Sequence, residues 1–483
     1  MKKSLKSLRV VPVLVQAVLV AVWLTCVSSA TAVASSPYTN VVVILADDLG
    51  YGDLGCYGHP QFRTPHLDTM AVEGVHFTQF NTPAPFCAPT RASLLTGRYP
   101  ARCGLMTNPS PDSTPTADAA HLPESERLLP EILRDAGYAT GMIGKWHLGH
   151  REVGWWPAAR GFDRFLGILY SNDMRPVRLI DGQKEVEYPV VQATLTKRYT
   201  EQALEFIERH RDRPFFLYLA HAMPHRPLAC SEDFYHKSGA GLYGDVISEL
   251  DWSVGQVMAK LKAAGCDDKT LVIFTSDNGA YYGGSSGALR GMKGTAWEGG
   301  FRVPCILRWP GRLPAGKTSD GLGTTMDLFS TVLAAAGTKS PSDRVIDGRD
   351  LLPLLTGGTV DSERIIFGQG RTELATARDA RWKLHLLAQA NAPQPKDPSQ
   401  PKPEAPRVGK RDPDGVTLLA PYDQPPREVY PGLRTGDETK ELSLFDLVDD
   451  PGEQHNVADQ HPEIVARLRA AFETAKQAFA ADQ

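Results

Sequence analysis

Val41-Val42-Val43-Ile44-Leu45-Ala46 is an unbroken apolar run that stops abruptly at two carboxylates, Asp47-Asp48. A run of this length with no polar alternation predicts a strand buried on both faces, as in a parallel sheet covered by helices. Short apolar runs followed by polar residues recur at Thr140 to Ile143, Phe215 to Ala220 and Leu271 to Thr275. Helical patterns lie between them. Thr64-Pro65 caps a predicted helix through Val72, with Leu67, Met70 and Ala71 on one face, and Thr194 to His210 reads as another. Asp245 to Ala264 is the clearest, with Val246, Leu250, Val254, Val257 and Leu261 spaced by three and four. Strands alternating with helices predict an α/β sandwich around a mostly parallel sheet. Such sheets bind ligands beyond the carboxyl ends of their strands. Asp47-Asp48, Lys145 with His147, His221 with His225, and Asp277-Asn278 all follow apolar strand runs, so they are expected to meet on one rim.

The ends of the chain differ in texture. Lys2, Lys3, Lys6 and Arg9 precede an apolar run from Val10 to Val27, and small residues at Ala30-Thr31-Ala32 and Ala32-Val33-Ala34 offer cleavage sites. Residues 1–34 therefore read as a signal peptide, which implies export to the periplasm or the medium and no stable membrane span in the mature chain. With 483 residues the chain exceeds the size of a single core, and the pattern changes near residue 360. Residues 35–360 form the expected catalytic domain, and 361–483 a smaller α+β domain with an antiparallel sheet. Its strands are expected at Ile365 to Gly368, Trp382 to Leu387 and Leu442 to Val448, followed by a turn at Asp450-Pro451-Gly452 and a helix over Pro462 to Ala480. Ala390 to Pro426, rich in proline and charge, reads as an exposed loop.

The formal charge is −4, and the four cations of the leader leave the remainder at −8. This mildly acidic balance argues against nucleic acid as a partner and requires any anionic substrate to be captured by local cations. Of seven cysteines, Cys26 lies in the leader. Apart from Cys87, the others are odd in number and irregularly spaced, so neither a disulfide framework nor a thiolate zinc site is indicated, though one or two bridges stay open.

Four oxygen-bearing residues, Asp47, Asp48, Asp277 and Asn278, form a hard donor set suited to Ca²⁺ or Mg²⁺. A zinc pair would want histidines. Lys145 and His147 are two residues apart, so an extended backbone would point both to one side. Lys293, flanked by glycines in Gly291-Met292-Lys293-Gly294, adds a further cation where the backbone can approach a ligand closely. In Cys87-Ala88-Pro89-Thr90-Arg91, Pro89 suits the first turn of a helix, Leu94 and Leu95 supply its apolar side, and Gly97 ends it. Cys87 is thereby expected at a helix N-terminus, where N–H groups favour an anion.

Cys87-Ala88-Pro89-Thr90-Arg91 followed by Thr96-Gly97-Arg98 resembles the C-x-P-x-R and T-G-R signature of type I, formylglycine-dependent sulfatases. Gly141 to Gly149, Gly161 to Gly167, Phe274 to Gly279, Lys293-Gly294-Thr295 with Glu298-Gly299-Gly300, and Leu444 to Leu447 with Asp450-Pro451 resemble further blocks of that family, in its order. The resemblance covers nearly the whole mature chain. It implies an alkaline phosphatase-like fold and hydrolysis of an aryl or sugar sulfate ester. It further implies 3-oxoalanine (formylglycine), made from Cys87 by a maturation enzyme, with Ca²⁺ (or Mg²⁺) on Asp47, Asp48, Asp277 and Asn278 and the modified Cys87 completing the shell. Carried over by residue, Arg91 would hold the formylglycine, Lys145 and Lys293 would grip sulfate, and His147 and His225 would move protons. His225 is preferred to His221 because the family histidine is followed by x-Pro, here Arg226-Pro227. Ser171 matches a serine that contacts sulfate in the family, whereas Asn172 stands where a histidine is found. A phosphonate or phosphodiester hydrolase of the same superfamily and a noncatalytic exported glycan-binding protein are the rival readings.

Overall fold

The computed structural model describes Met1 and residues 38–358, 361, 363–389, 422–426 and 429–482. The expected signal peptide and most of the Ala390 to Pro426 loop lie outside the described residues.

A ten-stranded sheet organises the larger part of the chain. In spatial order its strands are Lys317–Ser319, Val75–Phe77, Cys305–Arg308, Thr270–Ser276, Asn40–Ala46, Phe215–Ala220, Ala139–Lys145, Arg164–Ile168, Leu179–Asp181 and Lys184–Glu187. The central run from Thr270–Ser276 to Arg164–Ile168 is parallel, and antiparallel strands flank it on both sides. All seven residues of Asn40–Ala46 are buried. Because side chains alternate across a strand, Val41, Val43 and Leu45 enter one core while Val42, Ile44 and Ala46 enter the other. That double coverage is why this strand carries no polar residue between Asn40 and Asp47.

The predicted central strands and helices fall within a few residues of the observed ones. Leu195–His210 and Gly241–Ala263 pack on one face with Pro65–Glu73, whose Leu67, Met70 and Ala71 are buried. The capping differs from expectation. Thr64 makes no cap bond; its hydroxyl accepts from Gly55 N at 2.8 Å and donates to Asp68. The N-terminal N–H groups of His66 and Leu67 instead meet Asp251, at 3.2 and 2.8 Å, reaching across from the Gly241–Ala263 helix. A buried carboxylate from a neighbouring helix thus does the work assigned to a local threonine.

Beyond residue 365 a separate four-stranded antiparallel sheet runs Ile366–Gln369, Leu374–Arg378, Trp382–His385, Ser443–Asp446. The Pro462–Ala481 helix covers it, placing Leu468, Phe472 and Phe479 against Leu374, Ala377, Leu384 and Leu444. The six described cysteines are all unpaired. No helix among the described residues is long and apolar enough to cross a membrane.

Candidate active site

The acids and bases singled out above stand at the carboxyl ends of four adjacent strands. Asp47 and Asp48 follow Asn40–Ala46, Lys145 ends Ala139–Lys145, the His221 to His225 loop follows Phe215–Ala220, and Asp277 and Asn278 follow Thr270–Ser276. Close strand packing makes room for this rim. A Cβ on Gly144 would lie 1.8 Å from the carbonyl oxygen of Ala220, so only glycine fits beside Lys145. The expected alternation of Lys145 and His147 does not hold. His147 adopts a left-handed φ of 63°, so the backbone turns out of the strand between the two residues.

Cys87 opens the Cys87–Thr96 helix, and Gly97 closes it with φ 70° and an N–H to Ser93 O bond of 2.9 Å. All ten helical residues are buried, not only the Leu94–Leu95 side. Asn108 Oδ1 accepts the Ala88 N–H at 3.0 Å, so it satisfies one free donor of the first turn. Cys87 Sγ lies 3.4 Å from Asp47 Oδ1, 3.9 Å from Asp48 Oδ1 and 3.4 Å from Lys293 Nζ. Burial, reinforced by Asp277, pushes this thiol well above its ordinary pKa. An un-ionised thiol in this position is a poor nucleophile.

Three cations balance three carboxylates around Cys87. Lys145 Nζ reaches Asp47 Oδ2 at 2.6 Å, Lys293 Nζ reaches Asp48 Oδ1 at 2.6 Å, and Arg91 donates to Asp277 Oδ2 from Nε at 2.9 Å, with Nη2 in ion-pair contact at 2.8 Å. Burial alone would raise Asp47, but Lys145, then His225 and Arg91, bring it below the usual carboxylate range. Asp277 moves the other way, lifted by burial and by Asp47. Burial opposes the charge on Lys293, yet Asp48 and the neighbouring anions raise it well above an ordinary lysine.

Asp47, Asp48, Cys87 and His225 offer ligand atoms within 4.8 Å of one another. The sequence set named Asp277 and Asn278 rather than His225. Asp277 Oδ1 takes the Asp48 N–H at 3.1 Å, while Asn278 Nδ2 donates to Asp48 Oδ1 at 2.8 Å. Asp48 Oδ2 and Asn278 Oδ1 are buried acceptors without a hydrogen-bond donor among the described residues. Such orphans are costly in a protein interior, and a hard cation satisfies them, so the donor set fits Ca²⁺ or Mg²⁺.

The two histidines of the rim loop separate cleanly. His221 is fully buried with Nε2 on Ser253 Oγ at 3.2 Å, and burial drops its pKa to about 3. His225 faces the cluster, with Nε2 3.7 Å from Asp48 Oδ2 and 3.3 Å from Ser171 Oγ. Its Nδ1 lies 2.9 Å from Asn172 Oδ1 and 2.6 Å from Arg226 O. Two acceptors at Nδ1 fix the proton there. Ser171 Oγ also accepts from Lys145 Nζ at 3.1 Å. His147 Nε2 lies 3.1 Å from Pro109 O, leaving Nδ1 without a partner among the described residues. Burial and then Lys145 hold this imidazole well below its ordinary pKa, hence neutral.

Residues 39–338 match the sequence model of the Sulfatase family. The chain belongs to the sulfatase family. It is 42% identical over 380 residues to N-acetylgalactosamine-6-sulfatase of Canis lupus familiaris, covering 73% of this chain and 72% of that protein. It is 36% identical over 488 residues to human arylsulfatase A, covering 92% of this chain and 89% of the other. A solved sulfatase from Pseudoalteromonas sp. superposes with a TM-score of 0.74 at 27% identity, covering 92% of this chain and 91% of that one. The motif resemblance is thereby borne out, and this sulfatase is a sulfuric ester hydrolase.

Asn172 and Asn108 were not assigned roles from the sequence of this sulfatase. Asn172 Nδ2 is anchored to Gln192 Oε1 at 3.0 Å and Pro227 O at 3.1 Å while its Oδ1 orients His225. The departure from histidine at this position was visible in the sequence; its use as an orienting amide was not.

Proposed function

We propose that the protein cleaves an aryl or sugar sulfate with formylglycine derived from Cys87 and a Ca²⁺ ion held by Asp47, Asp48, Asp277 and Asn278, Mg²⁺ being the alternative. The observation that carries this reading is the placement of Cys87 Sγ, 3.4 Å from both Asp47 Oδ1 and Lys293 Nζ, in a thiol form too high in pKa to attack by itself. When present, the aldehyde hydrate supplies an oxygen nucleophile and the cation polarises that oxygen and the ester. Lys145 and Lys293 neutralise the nonbridging sulfate oxygens, with Ser171 beside Lys145, and Arg91, four residues on from residue 87 in the same helix and paired with Asp277, holds the formylglycine. His225, with Nδ1 committed to Asn172 and Arg226, gives up a proton from Nε2 to the departing alcohol. His147, neutral with a free Nδ1, takes up the proton released as sulfate leaves. The balanced charge of the side chains means that a bound divalent cation makes the site net positive, which suits an anionic ester.

On this reading the leader directs export to the periplasm or medium, a formylglycine-generating enzyme modifies Cys87, residues 35–360 carry the chemistry, and 361–483 supply one wall. The test is mass spectrometry of the Cys87 peptide together with turnover of a chromogenic sulfate ester. An aldehyde at Cys87 in active protein is expected. Full activity from a preparation holding only the thiol contradicts the reading.

A further inference from the structure

A cavity of about 660 Å³ borders the reactive centre and shares Lys293 with it. Lys293 Nζ is 3.4 Å from Cys87 Sγ and 5.7 Å from the centroid of the Tyr281 ring. This volume lies inside the roughly 300–1,000 Å³ typical of small-molecule sites, far more than a sulfate group needs. The cavity is therefore shaped for what the sulfate is attached to.

Its two sides differ in chemistry. One is aromatic: Tyr281 and Tyr282 meet edge to face at 4.8 Å, and Tyr282 meets Tyr430 likewise at 6.3 Å. The other is the hairpin tip between Ile366–Gln369 and Leu374–Arg378, where Arg371, Thr372 and Glu373 line the cavity. The side chains of these three are exposed and have no hydrogen-bond or ion-pair partner among the described residues. Elsewhere on the small sheet arginines are paired: Arg378 with Glu298 and Arg381 with Asp446. An unpaired guanidinium beside a binding cavity is a ready fork for a carboxylate or sulfate. Glu373 and Thr372 next to it offer acceptors for hydroxyl groups, which an aryl ester would leave unused. An aromatic wall facing a polar wall suits a ring with an apolar C–H face and a hydroxylated edge.

We propose that this cleft is the leaving-group subsite and takes an acidic sulfated oligosaccharide: the sulfated sugar ring lies against Tyr281, and the neighbouring sugar presents an anionic group to Arg371. The inference rests on the sulfatase reading of the Cys87 site and specifies its substrate class. Arg371 acts in recognition, so its loss falls on KM and not on the chemical step.

The experiment compares three esters with matured protein: 4-nitrophenyl sulfate, a sulfated disaccharide with a carboxylate on the neighbouring sugar, and the same disaccharide with that carboxylate reduced to an alcohol. Arg371→Ala is expected to raise KM for the carboxylated disaccharide about tenfold more than for either other ester, with kcat moving less than about threefold, and Arg371→Lys to recover part of the loss. Equal KM changes for the carboxylated and reduced disaccharides overturn the proposal. If no ester releases sulfate, the function itself is wrong. Calorimetric binding of the carboxylated disaccharide to unmatured protein then decides the subsite, since binding that Arg371→Ala leaves unweakened refutes it.

Discussion

The Glu453 carboxylate accepts the backbone N–H of Glu298 at 2.5 Å, tying the segment just after Lys293 to the turn that follows the last strand of the small sheet. The Glu298 carboxylate in turn receives Arg302 and Arg378 at 2.7 Å each and Lys383 at 3.1 Å, all buried. Glu453 also receives Lys383 at 3.1 Å and His385 at 2.7 Å. Removing Glu298 would leave Arg378 buried without its carboxylate partner and Lys383 with Glu453 alone. Glu298→Ala is expected to lower stability by about 3–5 kcal/mol in urea titrations. A loss under about 1 kcal/mol would show that water replaces the carboxylate at no cost.

The same cluster sets the acid side of the stability profile. Burial opposes ionisation of Glu298 and Glu453, yet Arg378 and Lys383 around the first, and Lys383 and His385 around the second, lower both pKa values. Acids lowered on folding add stability above their unfolded pKa of about 4.3, and that stability disappears as pH falls through the folded values. Asp53 and Glu249 act oppositely, because burial raises each to about 7. Between pH of about 4 and 7 the folded state holds protons there that the unfolded state has lost, so stability falls as pH rises. Asp53→Asn should flatten the decline of melting temperature over that interval; an unchanged slope removes Asp53 from the account.

Calcium should stabilise the folded protein through Asp48 Oδ2 and Asn278 Oδ1. Chelator-treated protein is expected to gain about 2.7 kcal/mol at a calcium concentration 100 times its dissociation constant. Asp48→Ala should abolish that gain. A calcium response that survives the substitution would place the ion elsewhere.

Lys293→Ala removes the cation nearest Cys87 and is expected to cost about 2–4 kcal/mol in kcat/KM for a sulfate ester, by the scale of oxyanion-donor deletions. Substrate affinity measured on unmatured protein should change less than the rate.

Asn172→Ala frees His225 Nδ1 from one of its two acceptors, so Nε2 no longer holds a single orientation. A loss within the roughly 10²–10⁴-fold span of general acid catalysis is expected for esters of poorly acidic alcohols. The loss should shrink for 4-nitrophenyl sulfate, whose leaving group needs little protonation. Equal losses for both would make Asn172 a packing residue.

How much the residues announced depended on how local the signal was. Asn40–Ala46, Phe215–Ala220 and Thr270–Ser276 are apolar on both faces, so the run and the polar residues ending it marked the strand and rim together. Leu374–Arg378 was missed: Leu-Ala-Thr-Ala-Arg is short and mixed, and it becomes a strand because partners on both sides and the Pro462–Ala481 helix bury it. Asp251 reaches Leu67 from 184 residues away, so no local pattern announces that cap. The turn at His147 was hidden for a similar reason, since the groups that meet it are remote in sequence: its N–H reaches Leu169 O at 3.1 Å and its Nε2 lies 3.1 Å from Pro109 O. Within the rim, charge and residue type identified the groups, while the tautomers of His147 and His225 required carbonyl and amide partners supplied by other loops.

The complete burial of the Cys87–Thr96 helix sets an order of events. A small ester can bring its sulfate to residue 87 from the cleft beside Lys293, but an enzyme that must grip the peptide around Cys87 cannot reach a helix buried along its whole length, so the proposed maturation belongs to the interval when the nascent polypeptide is still open. A molecule that folds with its thiol untouched has missed that window, and only unfolding it would grant a second chance.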